Sequence, residues 1–170
     1  MPIQDRPTQY LIKTGDYFDD AVANIVEIIK RMQVTDPGQY LTWIKRVHEV
    51  YPADLLIVPE TPCICVDFVD HEEEIHTIGK KNVTYELQIG IEIYYYHQQI
   101  NEELREKEIR SALWELGRIL RRNSFVNGLS SKGARIVSSE VLNRTRLNGV
   151  YAGGRVRYNV PVLIQEQRGD

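Results

Sequence analysis

Between residues 83 and 96 the chain reads VTYELQIGIEIYYY, with an apolar or aromatic residue at every second position. Side chains alternate faces along a strand, so Val83, Tyr85, Leu87, Ile89, Ile91, Ile93 and Tyr95 share one face. Thr84, Glu86, Gln88, Gly90 and Glu92 lie on the other, which Tyr94 and Tyr96 extend. At about 3.3 Å per residue such a strand is roughly 45 Å long. A compact domain of this size is about 40 Å across. The strand therefore crosses the whole domain and offers surface or edge to a neighbour.

Other segments read by the same logic. Asp16 is a helix cap, and Val22, Ile25, Val26, Ile29 and Met32 follow at helical spacing, predicting a helix over 17–33. Asp36-Pro37 opens a second predicted helix over 37–51, with Tyr40, Leu41, Ile44, Val47 and His48 on its stripe. Residues 55–58 are a short apolar run, Pro59 and Pro62 break the chain, and 63–69 reads as a strand. Residues 71–82, HEEEIHTIGKKN, read as a polar loop joining two antiparallel strands. Asn101 caps a helix to about Arg122 whose stripe is Leu104, Ile109, Ala112, Leu113, Leu116, Ile119 and Leu120. Its acidic start and basic end complement the helix dipole. After Asn127-Gly128, residues 134–147 and 155–165 predict a strand pair. Val156, Tyr158, Val160, Val162 and Ile164 share a face of its second strand, opposite Arg155, Arg157 and Asn159. Pro161 has no N–H to donate, so its end of that strand lies at an edge or bulge. The order predicts an α+β fold: a mainly antiparallel sheet of about four strands with helices packed on one face. One domain is expected over 1–170, with an extended arm at 1–14, a core at 15–165 and a tail at 166–170.

Composition adds one feature. The 170 residues carry a formal charge of −3, with ordinary hydrophobic and charged fractions of 42% and 26%. The signs are divided. Residues 1–104 hold 8 Lys and Arg against 18 Asp and Glu, whereas 105–170 hold 13 against 6. A chain with opposite signs in its two parts can attract copies of itself head to tail. Cys63 and Cys65 lie on one face of one strand and cannot form an ordinary disulfide, so buried thiols are expected. The opening MPIQDRPTQY lacks a basic region followed by an apolar run, and no stretch is long and apolar enough to span a membrane. Synthesis in a cytoplasm, with no membrane partner, is the expectation.

Chemical motifs are sparse. His71 and His76 bracket three glutamates, but their spacing of five sets them about 140° apart on a helix, unlike a zinc-protease pair. Asp67, Asp70 and Glu72–Glu74 lack calcium-loop spacing. Ser130-Ser131-Lys132-Gly133 lacks the phosphate-loop pattern, and no nucleophile motif is present. No catalytic residue, metal or cofactor is therefore expected. Two features remain. Arg135, Arg144, Arg146, Arg155 and Arg157 decorate the terminal strand pair, and guanidinium suits carboxylate or phosphate partners. Tyr94, Tyr95 and Tyr96 end the long strand, and aromatics beside arginine are typical of protein interfaces.

The order of helix 17–33, strands 63–69 and 83–96, helix 101–122, Asn127-Gly128 and the arginine-bearing pair over 134–164 resembles the tail-terminator or tail-completion proteins of tailed bacteriophages, including related neck proteins. The resemblance implies a structural virion protein. Its subunits form a ring, usually a hexamer, which caps the tail tube and docks the head connector, and DNA crosses the lumen without being read. It implies Arg135, Arg144, Arg146, Arg155, Arg157, Tyr94 and Tyr96 at a subunit interface or lumen. His71, Glu72, Glu73, Glu74, Lys80 and Lys81 would reach an adjacent ring or partner. The alternatives are a nucleic-acid-binding module using the basic carboxyl-terminal third, and a small enzyme with a noncontiguous site.

Overall fold

A computed structural model describes residues 8–35, 46–48, 61–97, 102–142 and 152–167. The architecture is α+β, with helices α1 (Tyr17–Thr35) and α2 (Glu102–Arg122). The strands are β1 (Arg46–His48), β2 (Cys63–Ile78), β3 (Asn82–His97), β4 (Arg135–Val141) and β5 (Ala152–Gln167). They form one sheet in the order β1-β2-β3-β5-β4. The four longer strands pair antiparallel, and β1 adds a short parallel fringe against Cys63–Cys65.

The period-two face of β3 is the core face. Ile89, Ile91, Ile93 and Tyr95 are almost fully buried, beside Ile64 and Val66 of β2 and Val156, Tyr158, Val160, Val162 and Ile164 of β5. Both helices cover this face. α1 supplies Ile25, Ile28 and Ile29 to the same cluster, and α2 supplies Leu113, Leu116, Ile119 and Leu120. Asp16 caps α1 as expected, its carboxylate accepting the amides of Phe18 at 3.0 Å and Asp19 at 3.3 Å.

Segments flanking α1 are tied down by buried polar groups. Asn24 accepts the Ile12 amide at 2.9 Å and donates to the Ile12 and Asp20 carbonyls, each at 2.7 Å. The Asp20 carboxylate accepts from the Thr14 amide and hydroxyl. Asn127, in the turn after α2, has a φ of 57° and donates to Glu27 at 2.7 Å and to Asn24 at 3.2 Å. Its carbonyl oxygen accepts from Arg31 at 2.9 Å. Three side chains of α1 thus hold a left-handed residue that precedes the sheet's last edge.

Two expectations are corrected. Residues 71–78 belong to β2 and are no loop: His71–Ile78 pairs with Val83–Ile89, and only Gly79–Lys81 turns. Every residue from 71 to 78 is exposed, so no buried face imposed an alternation that the sequence could display. Val47 and His48, placed on the predicted helix over 37–51, lie in β1 instead. Parallel pairing to Cys63–Cys65 overrides their helical spacing there. Tyr40, Leu41 and Ile44 and the run at 55–58 lie outside the described residues, as do Asn101 and the end of the predicted 134–147 strand. Pro161 sits where expected. β4 pairs with β5 only up to Asn159. Beyond it the Pro161 carbonyl accepts from the Ser130 hydroxyl at 2.9 Å and the Ser131 amide at 3.1 Å.

Candidate functional site: the second face and the edge of the sheet

Neither helix covers the second face of the sheet, and register decides what meets there. Tyr94 pairs with Arg155 and Glu92 with Arg157 across β3 and β5. Asp67 of β2 stands opposite Glu92 on the other side, and Glu140 of β4 stands opposite Arg155. These side chains form one network. Arg157 Nε lies 3.1 Å from Glu92 Oε1, and Arg155 Nη1 lies 3.4 Å from the same oxygen. Arg155 also pairs with Glu140, and the Tyr94 hydroxyl donates to Glu92 Oε2. Burial, followed by the hydrogen bond to Glu92, pushes the Tyr94 phenol up to about 12. Among the described residues no cation pairs with Asp67: burial first, and Glu92 second, raise its carboxyl above the ordinary 3.8.

Farther along the same face lies a depression of about 440 Å³ lined by Glu72, Glu74, Glu86, Gln88, Lys132 and Arg135, among others. Glu86 is its floor, with a side chain only 2% exposed, and Lys132 Nζ reaches it at 2.8 Å. Glu74 is the direct cross-strand neighbour of Glu86, and with His76 they bring three ligand-type atoms within 4.8 Å of one another. The Lys132 ammonium supplies the positive charge that two facing carboxylates require. Its own pKa is raised, chiefly by its bond to Glu86.

The outer half of β2, His71–Ile78, is exposed along its whole length. Ile75 and Ile78 are 62% and 60% exposed on it. Near its base the rings of His71 and Phe18 of α1 meet tilted by 44°, their centroids 4.7 Å apart. Among the described residues β1 covers β2 only at Cys63–Cys65, so the outer backbone of β2 from Val66 to Ile78 meets no strand. That edge carries Asp67, Asp70, Glu72, Glu73 and Glu74 and no Lys or Arg.

The proposed site residues divide accordingly. Arg155, Arg157, Tyr94 and Tyr96 lie on the second face, with the rings of Tyr94 and Tyr96 stacked at 6.0 Å. Tyr96 is fully buried there with Cys63 and Cys65, which are free buried thiols as expected. Arg135 lies at the depression, on the opposite edge from β2. His71, Glu72, Glu73 and Glu74 line the β2 edge, and Lys80 and Lys81 occupy the turn at its tip. Arg144 and Arg146 lie outside the described residues. Glu86, Glu92, Lys132 and Glu140 were not singled out from sequence. Only the β3–β5 and β4–β5 register shows that acids and arginines share this face. Among the described residues no helix is long and apolar enough to cross a membrane. In comparison with known proteins the chain matches no family model and no curated sequence.

Proposed function

We propose that this chain is a structural subunit of a bacteriophage tail neck, a tail terminator that closes into a ring on the tail tube and joins it to the head connector. The observation that carries the reading is the exposed outer half of β2, His71–Ile78, with the outer edge of the strand unpaired after Cys65 among the described residues. A long open edge is a template for another chain, and natural proteins leave one exposed where a partner covers it. The element order and charge division that resemble neck proteins supply the identity of the partners: copies of itself, the tube protein and the connector. DNA would traverse the lumen without base contacts, and the particle would be assembled in the host cytoplasm.

The interaction network favours this reading over nucleic-acid binding. Arg155 and Arg157 are engaged by Glu92, so a phosphate would have to displace a nearly buried carboxylate. Sedimentation at micromolar concentration, with and without purified tail tubes, tests the proposal. A ring-sized species on or released from the tubes is expected. A chain that remains monomeric in the presence of tubes overturns it.

A further inference from the structure

Two flanks of the sheet carry opposite charge, and this points to how copies meet. Toward one side of the strand order lies β2, which among the described residues β1 covers only at Cys63–Cys65, and whose segment from Asp67 to Glu74 holds five carboxylates and no Lys or Arg. At the other stands β4, where the end of α2 and the start of the strand present Arg121, Arg122 and Arg135 as exposed cations. Arg118 is engaged by Glu115 and Lys132 by Glu86, and β4 itself carries Glu140 near its end. The end of α2 lies against this second edge: a Cβ on Gly117 would stand 3.4 Å from Ile136 Cδ1 of β4. Arg121 there covers the ring of Trp114 at 5.1 Å, and Trp114 is itself 64% exposed. An exposed tryptophan beside arginines has the composition of an interface centre. The acidic edge presents exposed Ile75 and Ile78 to match.

We infer that the acidic β2 edge of one copy receives the β4–α2 flank of the next, a head-to-tail contact between unlike surfaces. The inference rests on the ring reading and names its contact. Unlike surfaces on opposite sides of one sheet generate a ring when the rotation closes, whereas two like edges would meet as a dimer and stop. Opposite charge fixes which edges meet, since acidic against acidic or basic against basic is repelled. Register shifts at Phe68/Asp70 and Ile75/Thr77 of β2 and at Ile136/Ser138 of β4 interrupt both edges. Such irregularities oppose unlimited strand-on-strand pairing and leave short, specific stretches for the contact.

The test is a charge exchange. One variant carries Glu72→Lys and Glu73→Lys, the other Arg121→Glu and Arg135→Glu, all at exposed positions. Each variant alone should retain its thermal transition and lose ring assembly on tail tubes by at least about tenfold, because reversing two charges on one surface removes most of the attraction at every contact. An equimolar mixture should recover assembly, because alternating copies again oppose unlike charges. Folded variants that each assemble alone, or a mixture that does not recover, overturn the edge assignment. If the wild-type chain forms no ring on tubes, the ring reading itself falls, and that result is distinct from either of the others.

Discussion

Gly154 lies directly beneath Leu113, so that a Cβ at position 154 would stand 2.7 Å from Leu113 Cδ2 and 2.9 Å from its Cγ. The glycine pairs with Tyr95 on the core face of the sheet, under α2. Absence of a side chain sets the depth at which that helix seats. Gly154→Ala should destabilise the fold by about 1–3 kcal/mol through overpacking, or roughly 2–4 °C in Tm for each kcal/mol at this chain length. Leu113→Ala in the same background should return part of the loss. A double-mutant cycle in thermal unfolding measures the coupling, and additive losses would show that the two side chains do not compete for this space.

The buried side of the molecule was legible in the sequence for a physical reason. Ile89, Ile91, Ile93 and Tyr95 alternate because one face of β3 is covered by helices and the other is not, and α1 and α2 show helical stripes for the same cause. The outer half of β2 was illegible because HEEEIHTI is exposed on both faces, and its strand character comes from backbone pairing to β3. Candidate residues split the same way. Arg155 and Arg157 were visible as one face of an alternating strand. That Glu92 lies between them depends on a register set by contacts distant in sequence.

Asn127 should be worth more than its small size suggests. Its side chain bonds to Asn24, Glu27 and Arg31 while its backbone holds a φ of 57°. Asn127→Ala removes the bonds and places a Cβ without polar compensation in the left-handed region. The expected loss is about 2–4 kcal/mol, the sum of unsatisfied buried partners and backbone cost. Asn127→Gly removes the bonds but relieves the backbone and should be milder by about 1 kcal/mol. Urea unfolding of the two variants separates these contributions, and equal losses would assign the whole effect to the bonds.

Asp67 gives a pH signature. Burial and the facing Glu92 raise its folded-state pKa above 3.8, so its charged form is disfavoured in the fold. The penalty is present at neutral pH and disappears as the solution is acidified through the raised value and below 3.8. Asp67→Asn should therefore stabilise the protein at pH 7, by about 0.2–1 kcal/mol for relief of a like-charge cross-strand pair. The difference in Tm between variant and wild type should shrink steadily towards pH 3.5. A gain that is constant with pH would place its origin in packing.

Glu92 decides whether the central arginines serve the fold or a partner. Its carboxylate takes Arg155 and Arg157 at 3.4 and 3.1 Å and receives the Tyr94 hydroxyl, and Glu92 is 8% exposed. Glu92→Gln leaves the two guanidinium groups adjacent without their shared countercharge. The variant should lose about 1.5–3 kcal/mol, the range for hydrogen bonds to a charged group. Arg157→Gln should cost less, because the Arg157 side chain is 50% exposed and Arg155 keeps both of its carboxylates. High salt should narrow the gap between Arg157→Gln and wild type more than the effect of Glu92→Gln, since screening acts most strongly on exposed charge. Melting curves at low and high salt, read beside ring assembly on tubes, check the assignment. If Glu92→Gln assembles poorly while melting like the wild type, the Glu92 cluster belongs to the contact between subunits and not to the fold of one.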